Sequence, residues 1–234
     1  MLVTFWSPKG GSGTSVVAAA CAIVLAGDGG ARLVDLDGDQ PAVLGLAPGG
    51  STVPAQRGVR DWLAVGPEAP ADALARLAIE AAPGFVLVPR GGAEPTASGE
   101  SGAALGVVLS DAGVTVADCG RADDPASRAL VEVSDFSVIV IRPCYLALRR
   151  AAAEELVRAA SGVVIVEEAG RALGAREVAD VLGVPVLASV PVRASIARVV
   201  DAGVLVARLP DSLARPMRAL LERLGVARSR GHAA

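Results

Sequence analysis

Nine residues near the start of the chain, Ser7-Pro8-Lys9-Gly10-Gly11-Ser12-Gly13-Thr14-Ser15, bring together glycines, hydroxyls and a lysine at a spacing that suits phosphate binding. Glycines let backbone N–H groups turn toward an anion, and a helix that starts just after them adds the positive end of its dipole. The ordinary form of such a loop is G-x-x-x-x-G-K-[ST]. Gly13 supplies its last glycine and Ser15 the hydroxyl that ligates magnesium, while Pro8 stands for the first glycine and Thr14 for the lysine. That lysine neutralises the β- and γ-phosphates. A threonine gives one hydrogen bond and no charge. Lys9, just before the double glycine, is the single lysine of the chain.

Carboxylates follow at the ends of two apolar runs. Residues 32–36 run into Asp35-Leu36-Asp37-Gly38-Asp39-Gln40, and residues 114–117 run into Asp118-Cys119-Gly120. A parallel α/β sheet presents its functional groups at strand C-termini. Acids placed there can hold magnesium through its water shell or orient an attacking water. Alone, the first run reads as a solvated acidic turn, and the second as one of many strands that end in Asp. Downstream of a phosphate loop, in this order, they read as parts of one site.

A sheet is needed to bring these segments together, and the chain alternates in the way such a sheet requires. Apolar runs at 2–6, 32–36, 85–88, 114–117, 136–141, 163–166 and 185–190 read as strands. Helices are expected at 13–27, 59–65, 71–80, 102–112, 125–133, 145–160, 175–182, 194–202 and 212–224, with a short helix or turn at 41–46. Residues 48–58 and 91–102 read as mobile loops. Trp62 reads as a packing anchor and the Arg149-Arg150 pair as a solvated face. In the last helix, Leu213, Met217, Leu220, Leu221 and Leu224 form one stripe, with Arg215, Arg218 and Arg223 off it. That helix reads as packed on the sheet, the alternative being a basic amphipathic helix on an acidic membrane surface. The expected architecture is a three-layer α/β sandwich: a mostly parallel wound sheet with helices on both faces, in one domain spanning 1–234 with a disordered basic tail at 226–234.

Composition agrees and narrows the function. Apolar residues make up 52% and aromatics 3%, which suits a buried parallel sheet with small-residue helices. A net charge of −3 offers no general basic field for nucleic acid. Cys21, Cys119 and Cys144 have no C-x-x-C pairing and read as reduced, buried thiols of a cytosolic protein. His232, the one histidine, lies in the tail, which excludes His-based triads and histidine metal clusters. No basic leader precedes a hydrophobic run, so no signal peptide is expected. The longest apolar run, 16–26, is short of the about 20 residues that span a bilayer.

Lys-Gly-Gly-x-Gly is the signature of the deviant Walker A loop. With the Asp35–Gln40 segment, Asp118 and the late run Gly183-Val184-Pro185-Val186-Leu187-Ala188-Ser189-Val190-Pro191 in the same order, nearly the whole chain resembles the ParA/MinD family of P-loop ATPases, including its septum-site and pilus-assembly branches. The resemblance implies binding of ATP or ADP with Mg2+. It implies phosphate contacts from Gly10, Gly11, Ser12, Gly13, Thr14 and Ser15, and metal contacts from Ser15, Asp35 and Asp118. Catalytic roles fall to Asp37, which would orient water, and to Lys9, which would reach across a homodimer in the ATP state to the partner's nucleotide. Pro191, Val192 and Arg193 would line the adenine pocket. Glu167-Glu168 stand where the family has an adenine-contacting asparagine. The implied protein is a cytoplasmic switch, peripheral at the inner membrane or nucleoid. It would act in chromosome or plasmid partitioning, division-site or pilus placement, with a protein partner of unknown identity and weak membrane-surface or non-specific DNA contact. Thr14 supports an alternative: a pseudo-ATPase scaffold that binds nucleotide with slow or absent hydrolysis; Lys9 folded back in cis, and an arginine such as Arg142, are the substitutes the sequence offers for the lysine. A P-loop small-molecule kinase, a third reading, is disfavoured by the Lys-Gly-Gly signature.

Overall fold

Successive side chains of a strand point to opposite faces, and here both faces are apolar. In β1 (Leu2–Trp6), Val3 and Phe5 enter one buried cluster while Leu2 and Trp6 enter a second. The strand therefore belongs at the centre of a sheet covered on both sides. A computed structural model, which describes residues 1–46, 57–94 and 97–226, places it there.

The chain continues as α1 (Thr14–Ala26), β2 (Ala31–Asp35), α2 (Gln40–Val43), α3 (Val59–Val65), α4 (Ala71–Ala75), β3 (Ile79–Ala82), β4 (Phe85–Val88), α5 (Gly99–Asp111), β5 (Thr115–Asp118), α6 (Pro125–Val133) and β6 (Phe136–Ile141). Then come α7 (Tyr145–Ala152), a 3-10 turn (Glu155–Ala159), β7 (Gly162–Glu167), α8 (Ala175–Leu182), β8 (Val186–Pro191), α9 (Ala194–Asp201) and α10 (Asp211–Arg223). One eight-stranded sheet runs β3-β4-β2-β5-β1-β6-β7-β8. Every neighbouring pair is parallel except the antiparallel pair β3–β4 at one edge. Helices α1 and α10 cover one face, and α3, α5, α6, α7 and α8 cover the other. This is the expected three-layer α/β sandwich.

The topology decides where a ligand can sit. From β1 the chain passes through α1 to β2, on one side; from β5 it passes through α6 to β6, on the other side of β1. Connections that diverge from neighbouring strand ends leave a crevice at the carboxyl edge of the sheet. The glycine loop, Asp35 and Asp118 all end there.

Several elements differ from the sequence expectation. The helix expected over 71–80 stops at Ala75, and Ile79–Ala82 becomes the edge strand β3. Pro83 and Gly84, the latter at φ 74°, make a tight turn that folds this segment back on the free edge of β4. The helix expected over 145–160 breaks after Ala152 into the 3-10 turn, which buries Leu156 and Val157 while Glu154 pairs with Arg128 at 2.8 Å. Helix α5 starts earlier than expected, capped by Ser98, whose side chain accepts from the Ser101 N–H. Cys144 is only partly buried, unlike Cys21 and Cys119. The expected loop at 48–58 and the tail with His232 lie largely or wholly outside the described residues.

Trp62 is buried, and its indole N–H donates to the Pro70 carbonyl at 2.8 Å, in keeping with an anchor. The apolar stripe of α10 is buried against α1 and β8. Arg223 adds hydrogen bonds to the carbonyls of Val186 (3.0 Å) and Leu187 (2.6 Å). That stripe is part of the core and is not free to lie on a membrane. Among the described residues no helix is long and apolar enough to cross one.

Helices α5 and α6 meet closely because Gly102 has no side chain: a Cβ there would overlap the Ala126 carbonyl. Gly102→Ala is expected to destabilise the protein by about 1–3 kcal/mol, outweighing the helix-propensity gain of about 0.5–1 kcal/mol. Urea unfolding midpoints of the two proteins check this.

Candidate functional site

The loop after β1 is stiffened from within. Ser7 and Ser12 are buried, their hydroxyl oxygens lie 2.8 Å apart, and each lies 2.7 Å from the Lys9 carbonyl. The Ser7 N–H donates to the Gly120 carbonyl at 2.8 Å, tying the loop to the end of β5. Gly11 and Gly13 take φ of 75° and 87°, the left-handed region that glycine enters without strain. No side chain caps the start of α1, so the N–H groups of its first turn remain available to a ligand. They open on a cavity of about 310 Å³ lined by the loop from Gly10 to Val16 together with Asp37, Asp39, Gly120 and Arg121.

The acids divide into two kinds. Asp35 and Asp118 are fully buried and stand opposite each other in the β2–β5 register. Asp35 accepts from the N–H groups of Asp37 (3.1 Å), Gly38 (2.6 Å) and Gln40 (3.0 Å). Both its oxygens are thereby taken up in shaping the turn, and it does not line the cavity. Asp118 accepts from Gln40 Nε2 at 2.7 Å and from the Gly120 N–H at 3.2 Å, and the nearby Ser15 hydroxyl favours its charged form. Gln40 Nε2 also donates to the Ser15 carbonyl at 3.0 Å, so one buried amide joins α1, β5 and the turn after β2. Asp37, by contrast, is exposed at the cavity. Gly120 makes room for it, because a Cβ there would overlap the Asp37 carboxylate.

Burial is the main cause of the unusual acidities. It pushes the Asp35 carboxyl up to about 7 and the Asp118 carboxyl up to about 6, against the hydrogen bonds that favour their charged forms. Asp37 is raised too, by partial burial and then by Asp39, with Arg90, Arg121 and Arg60 opposing.

A magnesium ion fits part of this set. Ser15 lines the cavity with a hard hydroxyl oxygen, the buried Asp118 carboxylate lies behind it, and Gln40 Oε1 is a buried acceptor with no partner among the described residues. Among the described residues no cluster of three or more acidic, cysteine or histidine side chains forms a closed metal cage.

Lys9 lies beside the loop, not in its cavity. With Gly11, Ser12, Arg142, Cys144 and Arg171 it lines a second pocket of about 150 Å³. Pro191, Val192 and Arg193 line a third, of about 510 Å³, together with Glu167, Glu168 and Arg171. The Val192 N–H donates to the Glu167 carbonyl at 2.7 Å, which fixes this segment against β7. Gly11 and Ser12 are shared by the first two pockets and Arg171 by the last two, so the three form one chain along the crevice.

No family model and no curated protein matches the sequence. Solved structures do match the fold. The cell division ATPase MinD of Pyrococcus furiosus is 19% identical at a TM-score of 0.76, over 96% of this chain and 98% of that one. The ParA family ATPase of Chlorobium tepidum is 21% identical at 0.73, over 94% and 98%. The septum site-determining protein MinD of Pyrococcus horikoshii, solved with Mg-ADP, is 18% identical at 0.72, over 95% of each chain. The fold is that of the ParA/MinD-type ATPases.

On this ParA/MinD-type fold, three groups emerge that the sequence reading gave no role at the site. Gln40 belongs to the Asp35–Gln40 run, yet only the β2–β5 register shows that it spans two acids. Arg121 borders the loop, packing its Cδ toward Gly10; its position just after the strand-end Asp118-Cys119-Gly120 was the available signal. Arg171 meets Lys9 across the second pocket, and nothing in the local sequence announces it.

The raised pKa values of the buried acids set a pH dependence. An acid that holds its proton more tightly folded than unfolded contributes stability below about pH 4 and loses it as the pH climbs through its folded value. The magnesium-free protein is therefore expected to lose stability between about pH 4 and the values of about 6 and about 7 for Asp118 and Asp35. Asp118→Asn is expected to flatten the part of the slope near pH 6, as read from urea unfolding across a pH series.

Proposed function

We propose that the chain is an ATP-binding switch of the ParA/MinD type that dimerises on nucleotide and acts in intracellular positioning, such as chromosome or plasmid partitioning or the placement of a division site or pilus. One observation carries this reading: an uncapped glycine loop and helix N-terminus open, with Ser15, on the same cavity as the exposed Asp37. Phosphoryl transfer is mostly positioning and charge stabilisation, and these groups supply both.

In this reading Gly11 to Thr14 and the first turn of α1 hold the phosphates. Ser15 and Asp118 hold the metal, with Gln40 Oε1 accepting from its water shell. Bound magnesium would neutralise phosphate charge during transfer. Asp37 orients the attacking water, and its raised pKa suits a group that accepts a proton. Pro191, Val192 and Arg193 bound the pocket for the base, and Lys9 reaches toward a second copy of the chain. Exposed apolar residues on the same edge, Tyr145, Leu146 and Val192, suit a face that is covered in a dimer. A net charge of −3 and the buried stripe of α10 favour a protein partner over DNA or membrane as the target.

Thr14 favours a second reading, a binding module that holds nucleotide without useful turnover. Its side chain is buried and carries no charge at the place where the loop normally has a lysine.

Calorimetric titration of the purified protein is expected to show magnesium-dependent binding of ATP and ADP; no binding at millimolar nucleotide would overturn the proposal. Lys9→Ala is expected to abolish ATP-dependent dimerisation in sedimentation, with nucleotide binding retained. Thr14→Lys is expected to raise phosphate release about 10²-fold, the scale of one well-placed electrostatic contact. No gain would leave the binding-module reading standing.

A further inference from the structure

The charge that Thr14 does not supply has another source beside the loop. Arg142 follows β6, and Arg171 lies in the turn that follows β7, the neighbouring strand. Both guanidinium groups converge on one carboxylate. Arg142 Nη2 lies 2.8 Å from Glu168 Oε1, and Arg171 places Nη2 at 2.7 Å and Nε at 2.8 Å from Glu168 Oε2. The Glu168 carboxyl is held below the usual glutamate pKa, first by Arg171 and then by Arg142, and so stays ionised. With Lys9 the pocket brings three cations against this one anion, in a protein whose net charge is −3. Arg142 Nε is a buried donor with no partner among the described residues. Helix α7 also begins here, with Cys144 as its N-cap and the positive end of the helix toward the pocket.

This is a polyanion site by its chemistry. Guanidinium forks match the oxygens of a phosphate, and a carboxylate that fixes two of them removes much of the ordering cost. It is also correctly placed, because it borders the loop through Gly11 and Ser12 and the third pocket through Arg171. We propose that Arg142 and Arg171, held in place by Glu168, bind the terminal phosphate of the nucleotide and replace the missing loop lysine. The assignment rests on reading the neighbouring cavity as a nucleotide site. The charge then enters from two strand ends outside the loop.

The test is calorimetric titration with Mg-ATP, Mg-ADP and inorganic tripolyphosphate of the native chain and of Arg142→Ala, Arg171→Ala and Arg176→Ala, the last a control on the exposed face of α8. Melting curves confirm folding. Arg142→Ala and Arg171→Ala are each expected to weaken ATP and tripolyphosphate about tenfold and ADP less than threefold, while Arg176→Ala matches the native chain. Should Arg142→Ala fail to fold, Arg171→Ala, whose side chain is 48% exposed, carries the comparison. If both nucleotides bind the native chain and the two variants keep its ATP-to-ADP preference, the arginine assignment falls and the nucleotide site stands. If the native chain binds neither nucleotide, both fall.

Discussion

Two carboxylates buried side by side at the ends of adjacent strands would repel each other and their own desolvation would drive them out, unless every oxygen were answered. Asp35 and Asp118 meet this requirement with backbone N–H groups and the amide of Gln40. Much of the crevice follows from that arrangement. The turn that answers Asp35 throws Asp37 out to solvent. The amide that answers Asp118 also holds the Ser15 carbonyl and so fixes where α1 begins. Gly120 must lack a side chain so that Asp37 can pass. A change at either buried acid would thus be felt at the mouth of the cavity before it was felt in the sheet.

The crevice separates shape from charge. The glycine loop, stiffened by Ser7 and Ser12, gives a preformed cradle of N–H dipoles with no cationic side chain of its own from Gly10 to Val16. The cations stand around its rim: Arg121 on one side, and Lys9, Arg142 and Arg171 on the other. A cradle of dipoles selects for geometry, whereas rim cations select for the number and reach of anionic groups. In the proposed reading, such a site would tell a long phosphate chain from a short one.

Much of the architecture was legible in the sequence, for a physical reason. Strands buried on both faces are continuous apolar runs, and β4 and β6 coincide with their runs because glycine, proline or charge bounds them. The bounds of α3, α6 and α8 coincide likewise with their amphipathic stretches. The edge strand β3 was not legible, since Ile79-Glu80-Ala81-Ala82 has helical composition and becomes a strand only because β4 offers a free edge. At the site, the loop and both strand-end acids were visible as local motifs. The division of labour between Asp35 and Asp37 was not, because it depends on which carboxylate the turn folds over. Arg142 and Arg171 lie far apart in the chain, and register alone brings them to one Glu168.

Cys21 and Cys119 are sealed in the core, and burial pushes the Cys21 thiol up to about 12. Cys144 is different: it sits at the head of α7, partly open, on the wall between Lys9 and the two arginines. A thiol-directed fluorophore would therefore find one reactive position in the native fold, without any cysteine having been added or removed. The molecule comes with its own attachment point for an optical probe, on the wall of the pocket where charge collects.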